Sequence, residues 1–389
     1  MMGRVLLASL LALQAAVAPV VLAAPAGAVT APEECDPDKG TLKLPAEEPW
    51  AQRRLDIKNA WRLTRGAGVT VAIVDSGADY THPQLRVSKF LDVTHTGYRD
   101  CVGHGTAIAG IVGGRYVAGV PFHGVAPEAQ IISVKQSNKK EGDVRDLAAG
   151  ITLAVKYKVD VINVSVKASD HPALRAAIQD ALAHDVVVVA AAGNIDKDDG
   201  ASEPAYPAAY DGVLSVGSAT QDGRRADSSS TATPVSVLGP GVGITATWPG
   251  KAYALNLEGT SFAAPYVAGV AALVRSRFPK LDQQQVRHRI IATADGTLGA
   301  ATGAGMVNPT LAVTAVLPFQ SADAPVVASP AAPPLPAGAI TKAAPPDHKS
   351  INVAWGVMGG ALSLAGIAAA GTWVLPLGRR RRWRPGRPS

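Results

Sequence analysis

Three short motifs in this chain carry a carboxylate, an imidazole and a hydroxyl at positions that favour chemistry. Asp75 ends an apolar run and precedes a glycine turn, His104 lies between two glycines, and Ser261 opens a helical pattern. A hydroxyl nucleophile, an imidazole base and a carboxylate that orients the base are the groups that serine-dependent acyl transfer needs. The sequence therefore predicts nucleophilic hydrolysis, with these three residues as the catalytic groups.

Each motif has a simpler explanation when it is taken alone. A carboxylate after a strand often forms a turn, a lone histidine is more often structural than catalytic, and Ser261 would make an ordinary helix N-cap. The combination is more specific, because Asp, His, Ser is one of three known orders of such a triad along a chain. In a fourth motif, Asn194 follows a buried apolar run and supplies an amide donor suited to a developing oxyanion.

The elements that must position these residues follow from the pattern of apolar side chains. Nearly continuous apolar runs of strand length indicate strands that are buried on both faces: 69–74, 159–166 and 186–192. Helical spacing of apolar residues predicts these helices: 143–157, 172–184, 261–278 and 282–294. Because strands and helices alternate, we expect an α/β fold with a doubly wound, mostly parallel sheet and helices on both faces.

Together, the four motifs resemble those of the subtilisin-like serine proteases, the subtilases of peptidase family S8, over residues 50–317. The resemblance implies a subtilisin-like fold with Ser261 as nucleophile, His104 as general base and Asp75 as the residue that orients the imidazole. It also implies an oxyanion hole formed by the Asn194 side chain and the Ser261 backbone N–H.

The same resemblance implies a substrate-binding edge at Ser165, where a peptide adds as a β-strand. The expected substrate is thus a protein or a peptide. Neither a metal ion nor a cofactor is predicted, since no acidic cluster has the pattern of a calcium site.

The charge distribution argues against nucleic-acid binding. The formal net charge is +6, but six arginines are concentrated in residues 379–387. Without these six and Arg4, the remaining chain carries a formal charge of −1. The basic balance therefore belongs to the ends of the chain, and we expect no nucleic-acid partner.

Both ends of the chain have the composition of targeting segments. Residues 1–28 combine Arg4, an uncharged apolar run and small residues that suit cleavage, which predicts a secretory signal peptide; an uncleaved N-terminal anchor is the alternative. Residues 351–377 contain no charged side chain and are long enough for a transmembrane helix. The basic tail, residues 378–389, then predicts a cytoplasmic C-terminus, a single membrane pass and an extracytoplasmic catalytic domain.

Two segments connect these ends to the domain of residues 50–317. Residues 29–49 form a short polar arm, and residues 318–350 are rich in Pro and Ala, which favours an extended linker. The two cysteines of the chain are Cys35 in the arm and Cys101 beside the imidazole motif. Outside the cytoplasm such a pair favours a disulfide bond over two free thiols, and the bond would hold the arm near the cleft.

The plan of the whole chain narrows the resemblance. A signal peptide, a short arm, the Asp-Cys-Val-Gly-His-Gly-Thr motif of residues 100–106, a Pro-rich linker, a transmembrane helix and a basic tail are similar to the mycosins, the membrane-anchored subtilases associated with type VII secretion. This resemblance implies a cell-membrane protease that cleaves a few exported substrates and associates with the type VII secretion membrane complex. The alternatives are a broad-specificity surface subtilase and a non-catalytic scaffold of the secretion complex.

Overall fold

The computed structural model of the chain describes residues 35–44, 46–139, 141–195, 203–296, 299, 301–317 and 348–380. The chain divides into two units between Gln320 and Ser321. The predicted signal peptide, residues 1–28, lies outside the described residues. The same is true of residues 318–347 of the predicted linker and of residues 381–389 of the predicted tail.

The described strands of the first unit form two sheets. They are β1 Thr70–Asp75, β2 Val87–Asp92, β3 Gln130–Lys135, β4 Val161–Val164, β5 Val187–Ala191, β6 Leu214–Ala219, β7 Val237–Pro240, β8 Ile244–Trp248 and β9 Ala252–Leu257. The larger sheet has the strand order β2-β3-β1-β4-β5-β6-β7, and every neighbouring pair in it is parallel. The strands β8 and β9 form an antiparallel hairpin. The predicted parallel sheet is therefore confirmed, with β1, β4 and β5 at the three apolar runs.

The first unit contains eight described helices. They are α1 Trp50–Leu55, α2 Ile57–Ala60, α3 His104–Gly113, α4 Val144–Lys156, α5 Pro172–Ala183, α6 Thr260–Arg277, α7 Gln283–Ala292 and α8 Pro309–Thr314. Four of them, α4 to α7, match the predicted helical patterns within two residues. Asp143 caps α4 by accepting from the Arg145 backbone N–H, and Pro172 occupies the first turn of α5, where no intrahelical bond is lost. These local signals explain why the two helices begin where the sequence predicted.

Helices cover both faces of the large sheet, as expected. Successive residues of β1 alternate between two apolar cores, with Val71 and Ile73 in the core that contains α3 and α6, and Ala72 and Val74 in the core that contains α4 and α5. The alternation follows from the two-residue period of a strand. It explains why β1 is apolar at consecutive positions, since neither of its faces meets water.

The N-terminal arm pairs with the hairpin of β8 and β9. Thr41 and Tyr253 exchange two backbone hydrogen bonds of 2.8 Å in antiparallel fashion, which adds one residue of the arm to the edge of β9. The indole Nε1 of Trp248 donates to the Asp38 carbonyl at 2.6 Å. Further along the arm, Glu48 lies 2.7 Å from the imidazole of the buried His123. The described part of the arm is therefore integrated into the domain.

The described part of the second unit is a helix, α9, which runs from His348 to Arg380. It contains the stretch 351–377 that the sequence predicts as a membrane span. Within the described part of the chain, however, no helix combines the length and the apolar character needed to cross a membrane. The structure thus confirms the helix but not its membrane-spanning character.

Candidate active site

The carboxyl edge of the large sheet gathers the predicted site residues. Asp75 ends β1, Ser165 directly follows β4, and Asn194 lies three residues after the end of β5. These three strands are neighbours, and β1 is also the point where the strand order changes direction, with β2 and β3 on one side and β4 to β7 on the other. In open α/β sheets, ligands bind in the crevice at such a switch point.

Asp75 and His104 are in direct contact. The imidazole Nδ1 lies 2.8 Å from Asp75 Oδ1 and 3.0 Å from Oδ2, and the carboxylate is almost fully buried. The Ser76 backbone N–H donates to Oδ1 at 2.8 Å and so fixes the carboxylate. The contact requires the start of α3 to press against the turn after β1. Gly105 permits this approach, because a Cβ there would overlap the carbonyl oxygen of Gly77.

The surroundings of His104 favour its protonated form. Burial by itself lowers the pKa of the imidazole, but the charge of Asp75, the hydrogen bond that Asp75 accepts from the imidazole and the charge of Asp100 outweigh burial and raise the pKa above the ordinary histidine value. Such an imidazole is suited to take a proton from a nucleophile. Because Nδ1 faces Asp75, Nε2 is the nitrogen that is available for this proton.

Ser261 lies in the first turn of α6, beside the side chain of Asn194. The Asn194 Oδ1 accepts from the backbone N–H of Thr260 at 2.9 Å and from its hydroxyl at 3.1 Å. These two bonds orient the amide, so that its Nδ2 remains as a donor. A Cβ placed on Gly259 would lie 3.2 Å from Asn194 Nδ2 and 3.4 Å from Ser261 Oγ. The amide donor and the hydroxyl therefore border the same small space.

Ser165 supports the backbone of Ser261. Its buried hydroxyl donates to the Ser261 carbonyl at 2.8 Å and accepts from the Asn163 amide at 2.9 Å. A cavity of about 390 Å³ adjoins this contact, and its lining includes Ser165, Lys167, Gly193, Asn194 and Ser261. The edge that the sequence assigned to substrate thus lies at the site, although the Ser165 hydroxyl itself is engaged within the protein.

The structure brings the predicted residues together in two groups. One is the Asp75–His104 pair, and the other surrounds Ser261. Phe262 connects the groups, since its ring centroid lies 5.2 Å from that of His104. The hydrogen bond between His104 and Ser261, and the catalytic role of each residue, stay predictions. Among the residues that the structure describes, no group of three or more His, Cys, Asp or Glu side chains is placed to hold a metal ion.

A disulfide bond joins Cys35 to Cys101, with their Cα atoms 4.6 Å apart. It ties the arm to the loop that leads into α3.

The neighbouring Asp100 is buried in this loop and belongs to the site, but the sequence reasoning missed it. The available signal was a carboxylate shortly before a helix whose N-cap residue, Gly103, has no side chain to cap it.

Comparison with known proteins agrees with this geometry. The sequence profile of the subtilase family matches residues 66–312. The chain belongs to the subtilase family and is a subtilisin-like serine endopeptidase.

Within that family, the chain is similar to mycosin-1 of Mycolicibacterium smegmatis, with 32% identity over 77% of this chain and 83% of the relative. It is also similar to subtilisin DY of Bacillus licheniformis, with 38% identity over 63% of this chain and 90% of the relative. Its structure resembles the crystal structure of MycP1 from the ESX-1 type VII secretion system. The TM-score is 0.65 at 31% identity, and the match covers 73% of this chain and 90% of that one.

Proposed function

We propose that this chain is a membrane-anchored, extracytoplasmic serine endopeptidase with Asp75, His104 and Ser261 as its catalytic triad. The observation that carries the proposal is the 2.8 Å contact between Asp75 Oδ1 and His104 Nδ1. A buried carboxylate at this distance holds the proton on Nδ1, so that Nε2 is the basic nitrogen, and it stabilises the imidazolium that forms during the reaction.

In the proposed reaction, Ser261 Oγ attacks the carbonyl carbon of the scissile peptide bond and passes its proton to His104 Nε2. The carbonyl oxygen becomes an oxyanion, to which Asn194 Nδ2 and the Ser261 backbone N–H donate. The imidazolium then gives its proton to the leaving amine, and the C–N bond breaks. A water molecule repeats these steps on the acyl-enzyme and releases the acid, while Asp75 stays ionised throughout.

We assign the segment after β4 to substrate binding. The Ser165 hydroxyl is engaged with the Ser261 carbonyl, and Ala168 pairs through its backbone with Tyr206. We therefore assign the pairing with an extended peptide to the backbone between these two residues. The adjoining cavity of about 390 Å³ would take the side chain that is nearest to the attacked carbonyl. In this assignment Ser165 fixes the nucleophile's backbone and the strand edge beside it holds the peptide.

The membrane anchor is supported by the sequence of residues 351–377, which contains no charge and is followed by arginines. The place in type VII secretion is supported by the likeness to MycP1 from the ESX-1 type VII secretion system. Release of the full chain from membranes by an alkaline carbonate wash would contradict the anchor. Failure to copurify with type VII channel components from its own membranes would contradict the second assignment.

An active-site fluorophosphonate probe tests the catalytic proposal. We expect the full-length chain to be labelled at one site, and S261A to lose labelling together with roughly 10⁴- to 10⁶-fold of its peptidase activity, because the nucleophile is gone. S88A, which removes an exposed serine of β2, is the matched control and should label like the wild type. An unlabelled wild-type protein would favour a non-catalytic scaffold.

A further inference from the structure

The buried carboxylate of Asp100 collects five hydrogen bonds at the entrance to α3. Oδ1 accepts from the Ser76 hydroxyl at 2.9 Å and from the backbone N–H groups of Val102 and Gly103 at 3.0 and 2.8 Å. Oδ2 accepts from the backbone N–H and the hydroxyl of Thr106 at 2.8 and 2.6 Å. Asp100 is only 4% exposed, and four of the five bonds come from the short segment of residues 102–106.

The glycine that precedes the helix explains why a carboxylate from elsewhere in the loop is needed. Gly103 has a φ of 88°, and a Cβ at this position would overlap the indole of Trp248, so a capping side chain has no room there. The first N–H groups of a helix nevertheless need acceptors. Asp100, three residues before Gly103, accepts from the N–H groups of Gly103 and Thr106, and its charge also complements the positive end of the helix. His104 is the first residue of that helix.

A second set of bonds connects Asp100 to the turn that carries Asp75. The Ser76 hydroxyl lies between the two carboxylates, 2.9 Å from Asp100 Oδ1 and 3.2 Å from Asp75 Oδ1. The Ser76 Oγ also accepts from the Gly105 backbone N–H at 2.9 Å. One hydroxyl therefore joins the end of β1, the loop before α3 and the first turn of α3.

We propose that Asp100 is a positioning residue for His104, which holds the start of α3 in register with Asp75 and places a second negative charge near the imidazole. The inference rests on the proposed function, because it assigns His104 the role of base. Asp100 acts through the turn and through its charge, and it does not contact the reacting atoms.

The charge of Asp100 has a consequence that a purely structural cap would lack. Among the described residues, the charged groups that act on the His104 imidazole are Asp75, at the end of β1, and Asp100; the ring of Phe262 from α6 adds no charge. Both carboxylates raise the pKa of His104. Since the base must be neutral, activity rises with pH through this pKa, and removal of one negative charge shifts the rise to lower pH.

The test compares D100N with the wild-type full-length chain in a peptide-hydrolysis assay and by fluorophosphonate labelling. We expect kcat to fall about 10- to 100-fold with little change in KM, because misplacement of the base affects the transition state more than binding. We also expect the ascending limb of the pH profile of kcat/KM to move to lower pH. D282N is the matched control: it neutralises the carboxylate that caps α7 through the Gln285 N–H and should leave both readouts unchanged.

A second variant, S76A, separates position from charge. It removes the hydroxyl between the two carboxylates and keeps the charge of Asp100, so we expect a lower kcat and an unshifted pH profile. If D100N does not fold, a wild-type kcat in S76A overturns the proposal. A folded D100N with wild-type kcat, or with reduced kcat and an unshifted profile, also overturns it. These failures differ from failure of the proposed function, in which the wild-type protein itself is neither labelled nor active.

Discussion

The N-terminal ends of helices α3 and α6 have similar backbone geometry but different electrostatics. Each follows a glycine with positive φ, 88° at Gly103 and 139° at Gly259, and neither N-cap offers a capping side chain. At α3, the carboxylate of Asp100 accepts from the N–H groups of Gly103 and Thr106. At α6 the acceptors are neutral: the Asn194 amide oxygen meets Thr260, and a backbone carbonyl meets Phe262.

This difference indicates what each helix end is for. The positive end of a helix stabilises an anion, and α3 already holds one of its own. A helix end with a permanent anion cannot also stabilise a transient one, but it can hold a catalytic base firmly. In the proposed mechanism, the end of α6 keeps its positive potential for the oxyanion that forms on the substrate. The three predictions that follow concern the surroundings of these two helix ends.

The largest effect is expected from a carboxylate introduced at the open helix end. N194D keeps an oxygen acceptor for the Thr260 N–H but replaces the Nδ2 donor by a negative charge beside the oxyanion. N194A, which only deletes the donor, should lower kcat about 10²- to 10³-fold with little change in KM, and N194D should lower it further. Steady-state kinetics on the pair, with thermal midpoints as a control for folding, decide this. A kcat of N194D above that of N194A would contradict the different electrostatic roles assigned to the ends of α3 and α6.

A smaller effect is expected from removal of the Cys35–Cys101 disulfide, which joins the arm to the loop before α3. The double variant C35S/C101S should lose about 2–4 kcal/mol of unfolding free energy, because a crosslink between residues 66 positions apart restricts the unfolded chain. Chemical unfolding measures this, and dithiothreitol should destabilise the wild type and leave the variant unchanged. If the variant unfolds at the wild-type midpoint, the bond adds nothing to the hydrogen bonds that hold the arm.

The smallest effect is the position of the wild-type pH profile. Since the pKa of His104 is raised by Asp75 and Asp100, labelling by the fluorophosphonate should rise with an apparent pKa above the ordinary histidine value of 6.5. The rate of labelling measured between mildly acidic and mildly basic pH gives this midpoint. A midpoint below 6.5 would mean that burial dominates at the imidazole and that the two carboxylates do not control it.

Much of the fold was predictable because its signals are local. The runs that became β1, β4 and β5 are apolar at consecutive positions, which is typical of strands buried on both faces. The edge strand β2 is partly exposed on both faces, and no such run marks it in the sequence. The hairpin of β8 and β9 was also missed. Its strands are defined by their contacts with α3 and the arm, and no periodic pattern marks them in the sequence.

The candidate site also contains residues with local sequence signals and a residue whose contacts are defined only by the fold. Asp75, His104 and Ser261 could be proposed because their motifs occur together in a known order, and the Asp75–His104 contact follows from β1 ending beside α3. The proposed role of Asp100 was missed, because its position before a glycine-capped helix is a weak signal and its contact with Ser76 appears only in the folded chain. Non-local hydrogen bonds of this kind leave little trace in a single sequence.

The pairing of the arm with the hairpin bears on how the chain would look after a proteolytic cut. The arm is held through Cys35, through the Asp38 carbonyl and through Thr41, all before the chain enters α1. A break in the backbone within residues 42–49 would leave its N-terminal fragment bound covalently to the rest. The two pieces would migrate as one band on a denaturing gel, and a thiol reductant would separate them.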